Sequence, residues 1–384
     1  MKYIIKIILF LILFSNCSNP ETYDVLVRNG TIYDGSGNKP FIADIGINSD
    51  TIAFIGKLEN ANAKVEIDAK GLSVAPGFIN VLSWAMKSLI EDGKSQSDIR
   101  QGVTLEVFGE GISMGPWTDK MKMEVKEHQG DIKFDIEWTS LDEYLEYMVK
   151  KGVSTNVASF VGATTLRIHT VGYEDRPPTK TELDSMRLLV RQAMEDGALG
   201  IGSSLIYAPA FYSSTEELIE ICKEAAKYDG LYISHIRSEA NKLLESIDEL
   251  IQISKKSGIR AEIYHLKAAG KSNWFKLDSV IQKIEKTRAE GLQITANMYN
   301  YTAAATALDA TMPPWVQEGG YKNWVKRLKN PEIRQKVVHE MKSSTDEWEN
   351  FYFAAGSPEN IILVGFKNDS LKHYTGKTLA VVNI

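Results

Sequence analysis

From residue 76 onward, short apolar runs alternate with amphipathic helical segments, and this alternation constrains the fold more than any other feature. It is typical of a parallel α/β barrel, in which each strand is followed by a helix. It predicts strands near 76–82, 103–109, 155–161, 198–204, 231–236, 260–266 and 292–297. Seven strands are one fewer than a closed (β/α)₈ barrel contains. The sequence therefore predicts an incomplete TIM-like barrel of about seven strands.

Helical segments fill the intervals between several of these strands. They are predicted at 181–196, 215–228, 240–257 and 274–290, each followed closely by a glycine that can end a helix. Residues 313–350 are polar, helical and rich in Trp and Lys, and 360–366 read as one more strand.

The segment 23–70 has a different texture, with four short alternating runs separated by turn-forming pairs such as Asn29-Gly30. We expect it to form a small β unit ahead of a barrel domain at 71–384; it resembles the N-terminal part of a β-sandwich that a known barrel family carries.

The first 17 residues read as an export signal. Lys2 and Lys6 flank an apolar run that ends at Phe14 and is too short to span a bilayer. Cys17 follows in a stretch that resembles a bacterial lipoprotein cleavage site. It predicts lipidation of Cys17 and an exported bacterial lipoprotein that is located in the cell envelope or periplasm or attached to the outer membrane. A plain secretory signal with an incidental cysteine is the alternative.

Charge and cysteine content narrow the possible partners. The net charge is −6 and no basic cluster appears, so we expect no nucleic-acid partner. Cys222 is the only cysteine after Cys17, and it lies on the apolar stripe of a helical segment. Packing is its expected role, and a disulfide framework is excluded.

Two histidines close consecutive strands of the predicted barrel. His235 ends the run 231–235, and His265 ends the run 261–265, in a chain with only six histidines. Active sites of such barrels lie where strands end, and adjacent strands lie roughly 4.8 Å apart. Two imidazoles at equivalent strand ends could therefore share one Zn²⁺.

A third candidate ligand follows the strand at 103–109. Glu110 lies between Gly109 and Gly111, which allow the backbone to approach a crowded site. A His₂Glu set leaves one position open for water, as catalytic zinc sites require. A solvated loop glutamate is the alternative.

Residues 72–84, with Pro76-Gly-Phe-Ile-Asn80, resemble the entry to the barrel of the amidohydrolase superfamily. With the phrases Ser-His-Ile-Arg-Ser-Glu at 234–239, Tyr-His-Leu-Lys-Ala-Ala-Gly at 264–270 and Gln-Gly-Val-Thr at 101–104, the chain resembles the N-acyl-D-amino-acid deacylase (D-aminoacylase) branch from about residue 23 to 380.

This resemblance implies a metal-dependent amide hydrolase with one tight Zn²⁺ site and a small-molecule N-acyl amino acid or peptide-like substrate. Glu110, His235 and His265 match the tight site and would carry catalysis. Leu82 and Trp84 occupy the places of a His-x-His pair that holds a second metal, so we expect that site to be absent.

The resemblance also suggests substrate-binding residues. Lys267 matches a lysine that binds the substrate carboxylate, or it is an ordinary loop lysine. Tyr299 and Tyr301 match tyrosines that can donate to an oxyanion, or they pack. Arg237 is a further candidate for the substrate site; it and Glu239 flank His235 and could orient it or pair with each other.

In the resembled family, the Gly-Lys-Thr-Leu phrase at 376–379 precedes an eighth strand that carries a general-base aspartate. We therefore expect a truncated chain without turnover, since neither Asp309 nor Asp369 follows a convincing strand. The alternatives are a D-dipeptidase, a hydantoinase- or dihydroorotase-like enzyme, or a non-catalytic envelope protein. The oligomeric state stays open.

Overall fold

A computed structural model describes residues 21–382. The predicted signal segment and Cys17 lie outside these residues. The chain divides into two compact units, one up to Phe78 and one from Ile79. None of the helices within residues 21–382 combines the length and the apolar composition that a bilayer crossing requires.

The first unit is a five-stranded mixed sheet, consistent with the small β unit predicted there. Its strands are β1 (Glu21–Ile32), β2 (Phe41–Asn48), β3 (Thr51–Gly56), β4 (Ala61–Asp68) and β5 (Ser73–Val74). The order is β3-β2-β1-β4, and β5 also pairs with β1. The side chains of Tyr23, Leu26, Leu58 and Ala61 form one of its small cores.

The turn predicted at Asn29-Gly30 is wrong, because β1 runs through it. The register of β1 on β2 shifts between Val27 and Gly30, and Asn29 has a φ of 60°. Asn29 N–H donates to the side-chain oxygen Oδ1 of Asp44 at 2.8 Å instead of to a backbone carbonyl of the paired strand. The pair therefore forms a bulge inside one long strand, as an extra residue in a ladder does.

The second unit contains the strands predicted for the barrel. They are β6 (Phe78–Asn80), β7 (Val103–Phe108), β8 (Asn156–Ser159), β9 (Val161–Gly162), β10 (Gly200–Ser204), β11 (Leu231–His235), β12 (Arg260–Ile263) and β13 (Ile294–Ala296). They form two sheets, with the orders β6-β7-β8 and β13-β12-β11-β10-β9. Residues 21–382 are thus α/β with parallel pairing and without a closed barrel.

The strand predicted at 155–161 divides at Phe160. Its first part, β8, pairs with β7, and its second part, β9, pairs with β10. Phe160 N–H donates to Phe108 O, and the ring lies in a small core with Val107 and Ile233. The break transfers the chain from one sheet to the next.

Helices follow most of these strands. The α-helices are Ser88–Glu91, Gln96–Ile99, Asp119–Glu127, Leu141–Lys151, Ala163–Thr170, Lys180–Glu195, Thr215–Ala226, Leu243–Ser257, Leu277–Ala289, Tyr321–Lys329, Pro331–Met341, Phe351–Ala354 and Leu379–Val382. The four helices predicted between strands are all present. The predicted strand at 360–366 is wrong: within the part of the chain that the structure describes, only Ile362 forms a β-bridge, with Thr378, and the backbone hydrogen bonds to 376–379 involve Ile361 and Leu363 alone, while Val364 is 75% exposed.

Apolar spacing fixes which face of each helix is buried. Along the helix 243–257, Leu243, Ile247, Leu250 and Ile253 recur every three or four residues and are buried in the main core. The helix 215–226 buries Cys222 in the same core, where the packing role expected for this cysteine places it. This outer layer fixes the strands whose ends carry the site.

Candidate metal centre

Glu110 lies just beyond the end of β7, in a backbone that only glycine neighbours allow. Gly109 and Gly111 have φ values of 104° and 73°. A Cβ on Gly109 would lie 2.4 Å from Phe160 O, and one on Gly111 would lie 2.8 Å from Ser204 Oγ. The two glycines therefore let the end of β7 press against the neighbouring strands, which buries Glu110 to 6% exposure.

The two histidines come from adjacent parallel strands, as their sequence positions predict. His235 ends β11, and His265 follows β12 by two residues. His265 has a φ of 35°, in the left-handed region that non-glycine residues rarely adopt. Its backbone N–H donates to Asn297 Oδ1 at 2.7 Å, and this contact, beyond the end of β13, holds the unusual turn.

The three predicted ligands lie together. His265 Nε2 is 3.0 Å from Glu110 Oε1, and His235 Nδ1 is 3.2 Å from the same oxygen. The two imidazole rings meet edge to face with centroids 4.5 Å apart. One donor atom from each residue lies within 4.8 Å of the others, and all three side chains are buried. The separation suits a single ion between them.

Charge is concentrated at this cluster. Burial alone would raise the pKa of Glu110, but hydrogen bonds from His235 and His265 outweigh it and hold the pKa of this carboxyl at about 2. Burial likewise works against protonated His265, yet the carboxylates of Glu110 and Glu239 raise its pKa to about 9. Without a metal, the Glu110 carboxyl is therefore ionised at neutral pH and the neighbouring His265 is protonated.

Glu239 fixes the orientation of His265. Its Oε1 lies 2.8 Å from His265 Nδ1 and 2.6 Å from Lys267 Nζ, and its side chain is almost fully buried. A carboxylate on one imidazole nitrogen leaves the other nitrogen free to face a metal. The other oxygen of Glu239, Oε2, lies 3.9 Å from His235 Nε2, so Glu239 is beside His235 as its sequence position predicts, and contacts His265 more closely.

The four predicted substrate-binding residues have different surroundings. Lys267 Nζ lies 2.9 Å from His265 Nδ1 and 5.3 Å from the centroid of the Tyr299 ring. Tyr299 lies 6.4 Å from the His265 ring, whereas Tyr301 is 78% exposed. Arg237 forms two hydrogen bonds with Glu249 and two with backbone carbonyls of 211 and 213. These contacts pair Arg237 with Glu249 and not with Glu239, and its substrate role stays a prediction.

Two aromatic residues at the site were not predicted to take part in it. Trp84 Nε1 donates to Glu110 Oε2 at 2.9 Å. The Tyr207 ring meets the His235 ring edge to face at 5.5 Å, and its hydroxyl lies 2.7 Å from Thr306 Oγ1. Trp84 was noted only as a histidine replacement, and Tyr207 follows β10 without any pattern that marks it.

The donor set fits a divalent metal such as zinc. One carboxylate and two imidazoles are a known zinc combination, and Glu239 supports one imidazole from behind. His235 Nε2 is buried and has no hydrogen-bond partner within residues 21–382. The side chain of Leu82, by contrast, packs against the apolar core around Val107 and offers no ligand atom.

Comparisons with known proteins agree with this picture. No family model matches the chain. A D-aminoacylase of Alcaligenes xylosoxydans xylosoxydans is 31% identical over 295 residues, which cover 76% of this chain and 60% of the relative. An N-acyl-D-glutamate deacylase of the same organism is 29% identical over 290 residues, 75% of this chain and 59% of the relative. The chain spans about three fifths of the length of these relatives.

Solved structures give the same result. A D-aminoacylase crystal structure matches with a TM-score of 0.66 and 30% identity, over 73% of this chain and 59% of that chain. An N-acyl-D-glutamate deacylase from Bordetella bronchiseptica, complexed with zinc and a phosphonate inhibitor that mimics the tetrahedral intermediate, matches with a TM-score of 0.66 and 28% identity over the same shares.

Proposed function

We propose that this chain, a homologue of the D-aminoacylases of the amidohydrolase superfamily, is a metal-dependent hydrolase of linear amides that deacylates N-acyl-D-amino acids. One observation carries the proposal: Glu110, His235 and His265, from three strand ends, direct one donor atom each at a common point. The relatives, at about 30% identity, suggest the substrate class, and they differ in the amino-acid side chain of the substrate.

The residues divide into holding and positioning roles. Glu110, His235 and His265 would hold the metal. A bound Zn²⁺ would supply Lewis-acid polarisation of the amide carbonyl and activation of a water. Glu239 accepts from His265 Nδ1 and keeps the Nε2 side of the ring directed at the cluster. Glu239, His265 and Glu110 thus form a series of contacts that ends at the metal-binding cluster.

Lys267 is the residue that we assign to the substrate carboxylate. Its ammonium group is partly exposed, lies beside the cluster and already pairs with Glu239. Tyr299, near both Lys267 and His265, is better placed than the exposed Tyr301 to donate to a developing oxyanion. Both assignments follow from proximity to the candidate ligands.

An activity assay of the zinc-loaded protein tests the proposal. Contrary to the sequence-based expectation of a chain without turnover, the proposal predicts release of free amino acid from N-acetyl-D-amino acids, faster than from the L-enantiomers, and loss of this activity in Glu110→Gln. Glu285→Gln, which changes an exposed glutamate of the helix 277–289, is the matched control.

A zinc-loaded protein that releases no amino acid would contradict the proposal. It would agree with the sequence-based expectation of no turnover and favour the non-catalytic alternative. Hydrolysis of a hydantoin or of dihydroorotate, without deacylation, would favour the cyclic-amide alternative.

A further inference from the structure

The two oxygens of Glu110 face different partners. Oε1 lies 3.0 Å from His265 Nε2 and 3.2 Å from His235 Nδ1. Oε2 accepts a hydrogen bond from Trp84 Nε1 at 2.9 Å. The carboxylate is therefore held from both sides, with only one oxygen turned toward the imidazoles.

The indole is suited to this task by its chemistry. Its N–H is a donor without acceptor capacity, so it cannot itself bind a metal or reverse its role by tautomerism. A hydrogen bond to an ionised carboxylate is roughly twice as strong as one between neutral groups. Glu110 is 6% exposed, so the carboxylate end of the contact is buried.

We infer that Trp84 is a positioning residue that fixes Glu110 as a one-oxygen metal ligand. A carboxylate bridges two ions by giving one oxygen to each, and the indole N–H already takes one lone pair of the second oxygen of Glu110. Trp84 therefore limits the centre to one ion in two ways. It offers no ligand atom itself, and it hydrogen-bonds the Glu110 oxygen that a second ion would need. The inference rests on the proposed function, because it concerns the metal of that same site.

Nuclear magnetic resonance of the metal-free protein tests the hydrogen bond directly. With ¹⁵N-labelled tryptophan, each of the seven tryptophans gives one indole N–H signal. The Trp84 signal is the one that disappears in Trp84→Phe. We expect Glu110→Gln to move this signal, because the acceptor loses its charge, and Glu285→Gln to leave it in place. A Trp84 signal that Glu110→Gln does not move would overturn the inference.

Zinc binding, measured with Zn²⁺ alone, tests the consequence for the metal. Loss of a group that orients a ligand typically costs about 10–100-fold in metal affinity, and we expect a loss in that range for Trp84→Phe. Trp274→Phe, at another exposed tryptophan, should keep the wild-type affinity. The wild-type protein should hold one ion at saturation.

The two proposals fail in different ways. Wild-type affinity in Trp84→Phe, or two tightly held zinc ions in the wild type, would overturn this inference alone. A wild-type protein that binds no zinc would overturn the proposed function together with the ligand-positioning role. Circular dichroism of each variant identifies a loss of affinity that is due to misfolding.

Discussion

The three candidate ligands differ in how firmly the protein holds them. His265 has a partner on each ring nitrogen and a backbone fixed by Asn297. His235 has a hydrogen-bonding contact only through Nδ1, on the cluster side. Glu110 is held through both oxygens. His235 is held mainly by packing, since its ring is buried against those of Tyr207 and His265.

His235→Ala should remove most of the bound metal, because two remaining protein ligands compete poorly for Zn²⁺. Elemental analysis after dialysis measures the effect. His339→Ala, at an exposed histidine of the helix 331–341, is the control and should keep its metal. Equal metal content in both variants would mean that His235 has a structural role.

Glu349 gives the protein a pH-dependent stability through a carboxyl that is not itself a candidate metal ligand. Burial and the nearby Glu239 carboxylate raise the pKa of Glu349 to about 7. A folded-state pKa above the ordinary value of 4.5 means that the folded protein binds the proton more tightly. Stability from this group is therefore present at low pH and is lost as the pH rises through 7.

Glu349→Gln should abolish this loss. Between pH 5 and pH 8 the wild type should lose up to ~3 kcal/mol of unfolding free energy that the variant retains. Urea unfolding at the two pH values measures it, with the exposed Glu347→Gln as control. Parallel pH dependence in the wild type and Glu349→Gln would show that the carboxyl titrates normally.

At the scale of strands and helices, the end of β7 controls the position of Glu110. Gly109→Ala should destabilise the fold by several kcal/mol, because the new Cβ would meet the backbone at Phe160 O and the backbone is left-handed. Gly172→Ala supplies the control: its φ is 86°, but nothing lies within 4 Å of a Cβ there.

Thermal unfolding of both variants, with zinc titration, separates the cost of a left-handed backbone from the cost of a steric clash at the new Cβ. Gly172→Ala should show only the cost of a left-handed alanine, about 1–2 kcal/mol, and unchanged zinc affinity. If Gly109→Ala behaved identically, the close approach to Phe160 would have no part in placing Glu110.

Sequence periodicity predicts individual elements well and their pairing poorly. The runs that end at His235 and near His265 are apolar, short and followed by helices, so their strands and the placing of both histidines at strand ends follow from the sequence. The break at Phe160 depends on which neighbour each half pairs with. The bulge at Asn29 likewise depends on Asp44, which lies in the next strand. Such tertiary partners leave no local pattern.

The site shows the same division. Glu110 could be predicted because glycines surround it after a strand. The contact of Trp84 with Glu110 could not, since it depends on the direction of an indole N–H. The pairing of Arg237 with Glu249 could not either, because Glu249 lies in the helix that follows.

At the scale of the whole molecule, the predicted lipid anchor concerns residues outside those that the structure describes. Cys17→Ser should move the protein from the membrane fraction to a soluble envelope fraction, because the cysteine sulfur is the expected attachment point of the lipid. Cell fractionation followed by immunoblotting measures this, and Cys222→Ser, at the buried cysteine, is the control. A serine variant that stays with the membrane would rule out the lipoprotein interpretation.

Each of the two units has its own apolar core, and all three candidate metal ligands lie in the second one. In calorimetry the two units should therefore unfold in two separate thermal transitions, whereas a single cooperative domain gives one. A ligand that binds only the native form stabilises it by about 2.7 kcal/mol when its free concentration is 100 times the Kd. Added zinc should raise the transition of the larger unit and leave that of the N-terminal sheet where it was.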